Sequence, residues 1–194
     1  MRVATLALAV VVLAACDPAK DSATIEQGEL AQLVLQSDDV PRVFVRFDQG
    51  PQLRADSPGG RRADPARFGR TAGWKARYRR SGSTRTAGPL VIDSRVDAFD
   101  SASGAEDELE AARDDLDQSE LGWKPIDEPG LGDESFAATL VQSGLSEVRY
   151  YQVVWREDNA TASLNVNGFE GRLPFADVLE LARKQEQRIA RAAS

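Results

Sequence analysis

Three strand-like segments near the C-terminus, residues 134–142, 147–157 and 160–167, constrain this chain most, because they are joined by turns too short for any crossover. The Asp158-Asn159 turn can join only antiparallel neighbours, since a parallel return needs about a dozen residues or more. The middle segment, Val148-Arg149-Tyr150-Tyr151-Gln152-Val153-Val154-Trp155-Arg156, is bulky at every position, which suggests a strand covered on both sides. Tyr150 and Tyr151 must then point to opposite faces. Pro174 opens a helix whose Phe175, Val178, Leu179, Ala182 and Ile189 form one apolar stripe that should pack on the sheet.

Upstream, Leu30, Leu33 and Val34 give residues 29–36 a helical spacing that Asp38-Asp39-Val40-Pro41 stops. Alternation over residues 43–47 predicts a first strand, ended by the turn signal Asp48-Gln49-Gly50-Pro51. Residues 49–71 are rich in Gly, Pro and Arg and read as a long loop. Trp74, Ala76 and Tyr78 alternate with Lys75, Arg77 and Arg79, and with Leu90, Ile92 and Val96 they make a hairpin over 74–99 with one wet side. Ser101 or Ser103 caps a helix over 104–118 with Ala105, Leu109, Ala112 and Leu116 on one side and acids in its first turn. Trp123-Lys124-Pro125-Ile126 reads as an edge strand, where proline is tolerated. The order predicts an α+β domain over residues 29–194. Its antiparallel sheet has about six strands, with two longer helices and a short N-terminal helix packed on it.

The N-terminus carries a separate message. Arg2 precedes an apolar run, Val3–Val12, too short to span a bilayer, which reads as a signal peptide over residues 1–15. Leu13-Ala14-Ala15-Cys16 resembles the lipobox of bacterial lipoproteins. The resemblance implies cleavage before Cys16 and lipidation of its thiol. Residues 16–28 are then a lipidated N-terminus and polar tether, and the protein is exported and held at the outer face of the cytoplasmic membrane or another envelope membrane. Two or three acyl chains, at about 0.8 kcal/mol per buried methylene, anchor stably where one binds reversibly.

Composition removes much chemistry. There is no histidine, and Cys16 is the only cysteine, so Ser-His-Asp and Cys-His nucleophiles and His or Cys metal sites lack their atoms. No metal or cofactor is expected. The formal charge of −7 hides a polarity: residues 42–95 carry thirteen Arg or Lys against four acids, and residues 97–134 carry two against fourteen. These charges either solvate opposite sides of the domain or create an anion-attracting basic surface. Nucleic acid is not an expected partner of an exported, net-acidic chain.

The layout, with Leu131-Gly132-Asp133-Glu134, the strand ending Val153-Val154-Trp155-Arg156 and the terminal helix over residues 181–189, resembles cell-envelope lipoproteins of high-GC Gram-positive bacteria. More remotely it resembles PsbP-like and kinase extracellular sensor domains. Those sensor domains usually carry paired cysteines, which this chain lacks. The resemblance implies binding or sensing without catalysis and transfers no site residues.

Candidate sites follow from residue type. Trp74, Tyr78, Tyr151 and Trp155 either line a ligand pocket or fill the core. Arg61, Arg62, Arg67 and Arg70 form a candidate anion-binding loop that, with the Lys75, Arg77 and Arg79 face, would lean on anionic lipid or envelope polymer. Asp127-Glu128 and Asp133-Glu134 could supply the paired carboxylates of glycoside hydrolysis or stand as solvated loop acids, and no Ser-x-x-Lys motif accompanies Lys75 or Lys124. Asn159-Ala160-Thr161 matches a glycosylation sequon by chance. The reading is a lipid-anchored binding or interaction module. The alternatives are a carboxylate-based hydrolase acting on wall polymers and a structural or assembly lipoprotein with a protein partner.

Overall fold

A computed structural model describes residues 24–52 and 65–193. A one-turn helix α1 (Leu30–Leu33) precedes strand β1 (Val45–Pro51), a short 3-10 turn (Pro65–Phe68), β2 (Arg70–Arg79) and β3 (Val91–Phe99). Helix α2 (Ala102–Asp117) leads to β4 (Lys124–Ile126), β5 (Glu134–Gln142), β6 (Val148–Glu157), β7 (Ala160–Phe169) and helix α3 (Phe175–Ala192). The seven strands form one antiparallel sheet in the order β1-β2-β3-β7-β6-β5-β4. Helix α2 therefore carries the chain from the middle of the sheet to its far edge. The meander then walks back until β7 closes on β3, placing Ser94 opposite Leu164.

The alternation of each strand sorts its residues into two layers. One face presents Ala76 and Tyr78, Ile92 and Val96, Leu164 and Val166, and Tyr151, Val153 and Trp155, all buried, with α1 and α3 packed against them. The opposite face presents Phe99, Val154 and Ala138, buried together with Ala105, Leu109 and Ala112 of α2. Strand β6 is thus covered on both sides, as its composition requires. A fully buried polar chain ties three elements across the main core: the Leu35 N–H donates to Ser94 Oγ at 2.9 Å, and Ser94 Oγ donates to Gln185 Oε1 at 2.8 Å. The Gln185 amide then donates to the Arg95 carbonyl at 2.8 Å.

Several boundaries differ from the sequence reading. The first helix stops at Leu33 because Val34 turns extended and the next amide is directed to Ser94 rather than back into the helix. Strand β1 runs on to Pro51, through the residues read as a turn. It is an edge strand, where the missing N–H of Pro51 breaks no second ladder, and a bulge between Arg46 and Asp48 absorbs the irregularity. Its apolar residues face outward: Val45 is 65% exposed, as is Val43 at 61% in the turn before it, and Phe47 lies beneath the Arg77 and Arg79 guanidiniums, each 5.1 Å from its ring centre. Strand β2 begins at Arg70, so the loop read over 49–71 is shorter, and its residues 53–64 lie outside the described ones.

Helix α2 is capped by Ser101, whose Oγ accepts from the Gly104 N–H at 3.1 Å, and its acids begin only after the first turn. Residues 16–28 are not all tether, because Ile25 is buried and fastened to Asn159. Among the described residues no helix is long and apolar enough to cross a membrane.

Candidate functional site

The meander leaves a recess where α2 runs out over the β4–β5 edge. Strand β4 has only three residues, with Pro125 facing Ala138, so the sheet ends before the last turn of α2 does. The space beneath that turn is a cavity of about 220 Å³ lined by Leu116, Trp123, Ile126 and Phe136, with Ala138 on its floor and Arg113 and Asp117 at its charged rim. For scale, an apolar cavity of about 150 Å³ holds benzene, so one aromatic ring with a short polar arm fits here.

Arg113 is not free to meet an anion. Its guanidinium donates to Glu134 Oε1 at 2.8 Å and lies over Phe136, 5.4 Å from the ring centre. The ion pair and the ring hold it as part of the wall. Asp117, one turn later on α2, is exposed and has no ion-pair partner among the described residues. The recess therefore offers an apolar interior, two aromatic walls and a carboxylate at its mouth. Such a site can bind but has no nucleophile or base beyond that carboxylate.

No family model matches the sequence, and no curated protein matches it. A solved structure does share the fold. The extracellular domain of PknH from Mycobacterium tuberculosis superposes with a TM-score of 0.62 at 14% identity, over 86% of this chain and 98% of that one. At that identity the likeness is one of fold, and it agrees with the resemblance to kinase extracellular sensor domains read from the sequence.

The residues singled out from sequence fall elsewhere. Tyr78, Tyr151 and Trp155 are core, with Trp74 packed against them, so the aromatic set does not line the cavity. The face they occupy is filled by α1 and α3. Tyr78 donates to the Leu35 carbonyl at 2.7 Å and Tyr151 to the Leu173 carbonyl at 3.4 Å. Burial raises both phenols above their ordinary range. The indole N–H of Trp155, like that of Trp74, is buried with no hydrogen-bond partner among the described residues.

The basic candidates are largely neutralised within the sheet. Arg70 is buried against Asp97 at 2.6 Å and donates to the Gln52 carbonyl, which corrects its reading as an anion-binding residue. Arg61, Arg62 and the side chain of Arg67 lie outside the described residues, as does Cys16. Asp48 pairs with Lys75 at 3.2 Å and lies 3.6 Å from Arg77, whose other side meets Asp93 at 3.4 Å. Of the carboxylates considered for hydrolysis, Asp133 accepts from Arg156 at 2.8 Å and Glu134 from Arg113, so both are held in ion pairs. Asp127 and Glu128 are exposed loop residues. Asn159 is buried and closed to modification.

Trp123, Phe136 and Arg113 were not read as a group from the sequence. Their meeting depends on the β4–β5 register and on where α2 ends, and neither is a local property.

Proposed function

We propose that this protein is a lipid-anchored cell-envelope binding module, held at the outer face of the cytoplasmic membrane through Cys16, that takes a small ligand in the recess between α2 and the β4–β5 edge. The observation that carries the reading is the recess itself: an apolar cavity of about 220 Å³ walled by Trp123 and Phe136 in a chain with no histidine and no cysteine beyond Cys16. The fold likeness to an extracellular domain supports an exported setting. Eight residues separate Cys16 from Ile25, and a coil of that length spans roughly 16 Å, close enough for the domain to stand on the membrane. Ion pairing of Asp133 and Glu134 supports binding over carboxylate catalysis.

Two measurements test it. Intact mass of the membrane-extracted protein should show acyl chains on a chain beginning at Cys16, and a free thiol there would end the anchoring reading. For the recess, 4-fluorotoluene added to the full chain should show a saturable ¹⁹F shift. Leu116→Trp, a half-buried rim position, should block it by filling the space. A shift that persists unchanged in the variant would place binding elsewhere.

A further inference from the structure

We infer that the recess selects a ligand with an apolar body and a positive charge, an aromatic or aliphatic amine, over its neutral and anionic counterparts. The inference rests on reading the recess as a ligand site and adds the sign of the charge. Three features of the mouth share that sign. Residues 97–134, which run from the end of β3 through α2 and β4 to the start of β5, carry fourteen acids against two bases, Arg113 and Lys124, and of these acids Asp97, Asp133 and Glu134 are paired with arginines. On α2, Asp117 is exposed at the mouth, and the last carbonyls of the helix, which bear its partial negative charge, end there too.

Of the two bases, Lys124 is exposed on β4 and is not among the lining residues, and Arg113, which is, does not oppose this. Arg113 is paired with Glu134 at 2.8 Å and laid on Phe136, so an anion recruited to it must displace a carboxylate already in place. An ammonium group, by contrast, meets the Asp117 carboxylate at the rim, and the ring of Trp123 offers it a cation–π contact. The same electrostatics raises the local concentration of cations before any contact forms.

The test compares three probes of one shape, 4-fluorobenzylamine, 4-fluorobenzyl alcohol and 4-fluorobenzoate, titrated onto the full chain and followed by ¹⁹F shift. The amine should bind about fivefold tighter than the alcohol, the scale of one exposed charge pair. The benzoate should bind more weakly than either. The amine's advantage should shrink in Asp117→Asn, an exposed substitution that leaves the fold alone, and at 1 M salt, where the Debye length falls to about 3 Å. Equal binding of all three probes, still blocked by Leu116→Trp, overturns the charge preference while the recess remains a site. Tighter binding of the benzoate overturns it as well, and binding of none overturns both readings.

Discussion

Asn159 fastens the entry of the chain to the β6–β7 turn: its Oδ1 accepts from the Ile25 N–H at 2.9 Å, and its amide donates to the Ile25 carbonyl at 3.3 Å and the Phe99 carbonyl at 2.9 Å. One buried side chain thus joins the N-terminal segment, the end of β3 and the start of β7. Asn159→Ala leaves one donor and two acceptors without this partner in surroundings that water does not reach. A loss of about 3 kcal/mol is expected, because each buried group left unsatisfied costs about 1–3 kcal/mol and some will relax. Urea unfolding checks it, and a loss below about 0.5 kcal/mol would show that the N-terminal segment contributes nothing to the body.

The Arg70–Asp97 ion pair exists because Gly73, cross-strand from Asp97, has no side chain. A Cβ at Gly73 would collide with the Asp97 carboxylate and the Arg70 guanidinium. Gly73→Ala should therefore destabilise the protein by about 2–4 kcal/mol, since displacing one member leaves the other charge buried. Asp97→Asn, which keeps the shape but leaves the Arg70 charge buried and unpaired, should cost at least as much. If Gly73→Ala is neutral in urea unfolding, the pair is not held by that space.

The contrast between these two residues and the strands around them shows what a sequence makes legible. The β5–β7 meander could be read directly because alternation is local and Asp158-Asn159 permits only one kind of connection. Helix α3 was legible from Val178, Ala182 and Ile189 for the same reason. Alternation put Trp74 with Tyr78 on one face of their strand, but that this face coincides with the one carrying Tyr151 and Trp155, and is filled rather than open, depends on the sheet order and on α1 and α3, which arrive from sequence positions far away. The pairing of Arg70 with Asp97 depends on the β2–β3 register, and the recess on the point at which β4 ends beneath α2. Both are relations between elements, and no window of the chain contains them.

The hydrogen bonds of Arg149 hold the Glu170 carboxyl below its usual range, while Glu170 in turn raises the guanidinium. Arg149 Nη2 donates to Glu170 Oε1 at 2.6 Å, its Nε to Oε2, and its Nη1 to Thr139 Oγ1 at 2.9 Å. Because the folded-state value is depressed, the stability from this pair is fully present above the ordinary carboxylate range, shrinks as pH falls below it, and is lost as pH falls through the lowered folded value. Glu170→Gln should cost up to about 1 kcal/mol at pH 7. The difference from the parent should close in acid, where both side chains are neutral. A deficit that is equally large at pH 3 would assign the effect to packing.

Glu157, at the end of β6, has the opposite linkage. Burial raises its carboxyl above the ordinary range, and the nearby carboxylates of Asp133 and Glu186 raise it further, with Arg156 acting against them. A carboxyl whose folded-state value is raised contributes its stability below the unfolded value, and that contribution is lost as pH rises through the folded value. At neutral pH Glu157 is therefore a charge the fold has to tolerate. Glu157→Gln should raise the urea midpoint at pH 7 and give no gain at pH 3, where the parent side chain is also uncharged. The neighbouring acids supply the control: the gain should be smaller in a Glu186→Gln background, because one of the charges that opposes Glu157 is then absent. A midpoint that falls at pH 7 would mean that the pairing of Glu157 with Arg156 outweighs both burial and repulsion.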